Sequence, residues 1–178
     1  MLIILGFFTF FLGAFLSCYF QIYYSLGKVY YYWKLLIKYA IKERNFILVL
    51  LSQISEDYKI VIQQQNWLEE ISNITRKQFC SSGEELLGLF IQKEEQLNVL
   101  TQRILQDEQL MEFGVKEKKD AISALENFWA AKNLFEFHSS NYNVASEKYL
   151  FTQRKKICLW LFILLSYPNC PTKIPSFY

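Results

Sequence analysis

The chain has 178 residues, with 19 Lys and Arg against 17 Asp and Glu, a net charge of +2, one histidine and four cysteines. So balanced a charge argues neither for a nucleic-acid surface nor for a strongly acidic partner. With His138 alone and no C-x-x-C spacing among Cys18, Cys80, Cys158 and Cys170, a His-containing structural zinc site is disfavoured, and the cysteines read as free thiols, buried or within the membrane.

The first charged residue is Lys28. Residues 1–27 are, apart from Gln21, apolar, aromatic or small, rich in Phe and Leu, and a helix of about 20 such residues crosses a bilayer core. A secretory signal has a basic start, a shorter apolar run and a small-x-small cleavage site. None of these is present, so the segment is expected to stay as a transmembrane anchor. Lys28, Lys34, Lys38, Lys42 and Arg44 all follow it, which places the body in the cytoplasm and the N-terminus outside. Tyr19, Tyr23, Tyr24, Tyr30, Tyr31, Tyr32 and Trp33 cluster at the exit, where amphipathic rings suit the headgroup level.

Beyond the anchor the pattern is helical. There are six Gly, and three Pro that all lie at or beyond Pro168; no Asn-Gly hairpin signal separates alternating strands. The anchor helix is expected to continue unbroken through Arg44. Apolar residues at Ile47, Leu50 or Leu51, Ile54, Tyr58, Ile62, Trp67, Leu68, Ile71 and Ile74 continue at helical spacing to Phe79, with a bend placed near Gln63-Gln64-Gln65-Asn66. Cys80-Ser81-Ser82-Gly83 is the strongest interior punctuation, and Ser82 with Glu85 fits a capping box. The next helix carries Leu86, Phe90, Leu97, Leu100, Ile104 and Met111 on a near a/d stripe, with Lys93 and Asp107 as interruptions. Phe113-Gly114 ends it.

The last helix starts in Lys116-Glu117-Lys118-Lys119-Asp120, runs to about Lys156, and aligns Ile122, Leu125, Trp129, Phe135, Tyr142, Ala145 and Tyr149. The fold class is therefore all-α: an N-terminal transmembrane helix followed by an antiparallel up-and-down four-helix bundle. The expected organisation is an anchor over 1–27, a helical bundle over 28–156, and a hydrophobic segment with a Pro-containing tail over 157–178. The run Ile157-Cys158-Leu159-Trp160-Leu161-Phe162-Ile163-Leu164-Leu165 is too short to span. It suits either core packing or the membrane interface, and Arg154-Lys155-Lys156 before it suits anionic headgroups.

The order of motifs resembles the LemA family. Lys42-Glu43-Arg44-Asn45-Phe46-Ile47-Leu48-Val49-Leu50-Leu51 is followed by Asp57-Tyr58, Leu68-Glu69-Glu70-Ile71, Thr75-Arg76, Phe113-Gly114-Val115-Lys116, Tyr142-Asn143 with Tyr149, and Lys173-Ile174-Pro175-Ser176-Phe177-Tyr178. The sequence departs from the family's pattern in having one Arg for a basic pair, Val49 and Gly114 where the family has Pro, and the extension after Lys156. The resemblance implies a four-helix bundle tethered to the bacterial inner membrane, with no established enzymatic activity.

The residues themselves point away from catalysis. His138 lies beside Ser139 and Ser140, but neighbours in a helix face different ways and only Glu136 is placed to orient the ring. Glu84-Glu85 and Glu94-Glu95 read as capping and solvated faces. No Gly-rich phosphate loop occurs. No catalytic, cofactor-binding or metal-binding residue is assigned and no cofactor is expected. The expected partners are the lipid bilayer and other membrane or envelope proteins, not nucleic acid or a small-molecule substrate. The expected role is a membrane-anchored scaffold or adaptor, or alternatively a small structural subunit of a larger membrane complex resembling a stator arm.

Overall fold

The computed structural model describes residues 2–51, 58–106, 115–155 and 174. Four helices account for almost all of them: α1 (Leu2–Leu51), α2 (Tyr58–Ser72), α3 (Arg76–Gln106) and α4 (Val115–Arg154), with no strand among the described residues. The chain is an all-helical bundle with one helix long and apolar enough to cross a membrane.

α1 is one uninterrupted helix of 50 residues, about 75 Å long at 1.5 Å per residue. No helix end marks the change of composition at Lys28. The change is one of surroundings. Side chains from Leu5 through Gln21 are exposed or only half-buried, whereas Ile22, Leu26, Val29, Trp33, Leu36, Ile37 and Ala40 are buried at spacings of three and four. Full burial therefore begins at Ile22, six residues before the first charge.

α1 meets α4 along most of its buried length. As numbers rise on α1 they fall on α4: Lys155 Nζ lies 3.5 Å from Gln21 Oε1, Trp33 faces Tyr142 with ring centroids 6.4 Å apart, and Tyr39 stacks on His138 at 5.0 Å. α2 returns alongside α1, with Arg44 reaching Gln64 and the Tyr30 hydroxyl donating to the Ile74 carbonyl at 2.7 Å. On α3, Phe79 packs on Tyr30 and Trp33, and Phe90 joins Trp33 to Phe135.

Three sequence expectations change. First, Phe46 to Phe79 is not one helical run with a bend at Gln63 to Asn66: those four residues lie inside α2, which ends at Ser72 before α3 begins at Arg76. Second, the Cys80-Ser81-Ser82-Gly83 stretch does not start a helix. α3 starts at Arg76, and Ser81 and Ser82 both donate from Oγ back to the Gln78 carbonyl. The capping box is Thr75 with Gln78: the Thr75 backbone N–H donates to Gln78 Oε1 at 2.8 Å, and the Gln78 N–H to Thr75 Oγ1 at 3.3 Å. Phe79, Gly83, Leu87, Phe90, Glu94 and Leu97 form one continuous buried stripe. Tertiary burial along that stripe outweighs the weak helix preference of Ser and Gly.

Third, the inner face of α4 is rotated in its first half. Ile122 and Trp129 are exposed, while Ala124 and Phe128 are buried; from Phe135 onward the expected positions Tyr142, Ala145 and Tyr149 are all inside. Two apolar diagonals compete there, and Phe128 is the one that reaches Ile47, Val61, Leu97 and Leu100. The turn expected at Phe113-Gly114, Met111 and the hydrophobic run 157–165 lie outside the described residues.

Candidate functional site: a charged layer inside the bundle

The core is divided. A larger apolar cluster toward the anchor includes Ala40, Leu68, Phe90 and Phe135, and a smaller one beyond it contains Ile47, Val61, Leu97 and Phe128. Between the two, every helix places a polar residue at a core position: Glu43 and Arg44 on α1, Gln64 on α2, Glu94 on α3 and Lys132 on α4, all buried.

Arg44 is the centre of this layer and is 0% exposed. Its Nη2 lies 2.8 Å from Glu94 Oε1 and 3.2 Å from Gln64 Oε1, and its Nη1 donates to the Ala40 carbonyl at 3.1 Å. Gln64 passes the network outward, donating from Nε2 to Gln96 Oε1 at 3.2 Å. Gln64 and Gln96 also line an open cleft of about 480 Å³ between α2 and α3, with Leu97, Leu100 and Arg103. The layer thus reaches the surface through Gln64 and Gln96.

Burial shifts the titration of Glu43, Glu94 and Lys132, in a layer some 30 Å along α1 from the exposed apolar segment. Glu43 is pushed well above the usual carboxylate range, first by burial and then by Glu94, against the opposing pull of Arg44 and Lys132. Glu94 is raised by burial, with Arg44 holding it down. Lys132 is lowered by burial, opposed by Glu43 and Glu136. Glu43 Oε1 is buried without a hydrogen-bond partner. The layer sets an Arg–Glu ion pair beside two further buried ionisable groups, Glu43 and Lys132, and among the described residues it pairs no nucleophile with a base.

Ile174 is tied to α4 by the Asn143 side chain. Asn143 Nδ2 donates to the Ile174 carbonyl and the Ile174 N–H donates to Asn143 Oδ1, both at 2.9 Å, so the amide pairs with both sides of one backbone residue. Ile174 itself joins the larger core cluster. The Asn143 amide therefore meets the backbone of Ile174.

Sequence reasoning read Glu94-Glu95 as a solvated pair. Glu95 is exposed, but Glu94 is buried against Arg44. The signal was present: Phe90, Glu94, Leu97 on α3 and Phe128, Lys132, Phe135 on α4 each put a charge in step with core residues. Glu84 and Glu85 are exposed. His138 is half-buried, stacked on Tyr39 and edge-on to Phe137, and burial lowers its pKa. Cys18 and Cys80 are free thiols, and Cys158 and Cys170 lie outside the described residues. Among the described residues no cluster of metal-ligating side chains forms. No family model matches the chain, and neither a curated protein nor a solved structure matches it.

Proposed function

We propose that the protein is a membrane-tethered, non-catalytic scaffold or adaptor of the LemA type, anchored in a bacterial inner membrane with its N-terminus outside and its bundle in the cytoplasm. The observation that carries this reading is α1, whose apolar first part projects from the bundle while its second part forms a wall of the core. About 20 residues precede Ile22, or ~30 Å of helix, the thickness of a bilayer core. A helix shared in this way makes attachment part of the fold and not an appended tail.

The bundle is proposed to be antiparallel and up-and-down. The pairings Gln21 with Lys155 and Tyr39 with His138, and Arg44 with Gln64, support opposite directions for α1 against α4 and α2. Arg44 with Glu94 and Tyr30 with Phe79 support a parallel α3. Orientation rests on the positive residues that follow the anchor. A reporter fused after Tyr178 is expected to be active in the cytoplasm, and digestion of the bundle by protease added outside intact cells would overturn that orientation.

A second reading, the subunit of a larger complex, is favoured by one surface. Phe137, Val144 and Phe151 are exposed at seven-residue spacing along α4, a seam that a partner helix could cover. Sedimentation of the full chain in detergent separates the two: a stable monomer supports the adaptor, and aggregation relieved by co-purified subunits supports the complex.

A further inference from the structure

Three helices bring cations to α1 where it leaves the bundle. Arg76, the first residue of α3, donates from Nη2 to the Tyr23 carbonyl at 2.7 Å, and its guanidinium lies 4.2 Å from the centroid of the Tyr23 ring. It rests against α1 at Gly27, where a Cβ would stand 3.7 Å from Nη1. Lys155, just past α4, reaches Gln21 at 3.5 Å and lies over the Phe151 ring at 5.4 Å. Lys28 on α1 lies over Tyr24 at 4.7 Å. Tyr23, Tyr24 and Phe151 are all exposed.

These groups share one level of the molecule. From Gln21 to Lys28 is ~10 Å of helix, comparable with the roughly 5–8 Å headgroup zone on one side of a bilayer. Among the described residues none of the three cations forms an ion pair. The first turn of α3 carries no acid, and Glu147 is the nearby carboxylate on α4, two turns from Lys155. A guanidinium with one N–H committed to a carbonyl keeps others for a phosphate oxygen. The neighbouring rings suit the same interfacial depth.

We propose that Lys28, Arg76 and Lys155 form a collar that binds the phosphates of anionic phospholipid headgroups and seats the bundle against the bilayer at the root of the span. The inference rests on the anchored reading of α1 but adds a surface drawn from three separate helices. Collar contact fixes the tilt of α1, because cations on α3 and α4 can meet the surface together only when the bundle stands on its membrane end.

The test uses the full chain in vesicles of phosphatidylcholine alone and of phosphatidylcholine with phosphatidylglycerol. Flotation after alkaline carbonate reads the span, and hydrogen exchange of residues 74–80 and 148–155 reads the collar. Each cation at an anionic surface contributes about fivefold to association. The expected result is flotation in both lipids, with slower exchange of the two collar segments only when phosphatidylglycerol is present. That protection disappears in high salt and in Arg76→Gln/Lys155→Gln, and persists in Arg103→Gln at the opposite end of α3. Flotation in both lipids with no lipid-dependent protection, or with protection that survives the double substitution, overturns the collar and leaves the anchor standing. Failure to float overturns both. Unchanged melting of the double variant in detergent confirms that its loss of protection is not unfolding.

Discussion

The two parts of α1 invert the usual order of inside and outside. In the first, Phe7, Phe8, Phe10 and Phe11 are 64–73% exposed; in the second, Glu43 and Arg44 are 2% and 0% exposed. One backbone carries both, so secondary structure does not distinguish them. What differs is the packing: the second part is covered by the other helices and the first is not. Under the anchored reading proposed above, lipid would accept the rings of the first part without a partner, whereas burying a charge in the second part calls for a counter-charge, as Glu94 supplies to Arg44. Burial alone is therefore a poor guide to apolarity along this helix.

The largest expected effect tests the first part. Leu12→Arg with Phe15→Arg adds about 2.5–3.5 kcal/mol per charge to insertion near the bilayer centre, and should shift the protein from the membrane pellet to the soluble fraction. Melting of the bundle should stay unchanged, because neither side chain enters the core. Loss of both attachment and folding would mean that the two parts are not separable.

The second part should respond in the opposite sense to charge. Arg44→Met leaves Glu94 buried without its cation and is expected to cost about 3–5 kcal/mol in chemical denaturation. Arg44→Met with Glu94→Leu should recover most of that loss, since an apolar pair of similar volume fills the gap between the two clusters. A double variant as unstable as the single one would show that Gln64 and Lys132 depend on the ion pair.

A smaller effect is expected at the C-terminal clamp. Asn143→Ala removes both bonds to the Ile174 backbone, about 1 kcal/mol each, so unfolding should shift by about 2 kcal/mol. Limited proteolysis should also cut beyond residue 155 sooner. An unaltered digestion pattern would show that Ile174 is held by its side chain in the core and not by the amide.

The smallest effect has a sign set by pH. Because the folded-state pKa of Glu43 lies above its unfolded value, its favourable contribution is fully present below the unfolded carboxylate pKa of about 4.3 and is lost as pH rises through the folded one. Glu43→Gln should therefore stabilise the protein near neutral pH, on the order of 1 kcal/mol, with the gain shrinking as pH is lowered. A benefit that grew on acidification would reverse the assignment and point to a carboxylate held by Arg44 and Lys132.

Much of the architecture was written in local pattern. The unbroken apolar run before Lys28 and the absence of Pro up to Pro168 made α1 legible, because helix continuity and membrane length depend on neighbours in sequence. The burial of Phe90, Leu97, Tyr142 and Tyr149 followed from spacing of three and four in the same way. By contrast, which of two apolar diagonals on α4 turns inward was decided by the shape of the cluster around Phe128. Helix α3 runs through Cys80-Ser81-Ser82-Gly83 because Phe79 and Leu87 must both reach the core formed with Trp33. The pairing of Arg44 with Glu94, 50 positions apart in the chain, and the docking of Ile174 on Asn143 likewise needed the tertiary structure. A charge at a core position is visible in one helix, but its partner is set only when the helices are brought side by side.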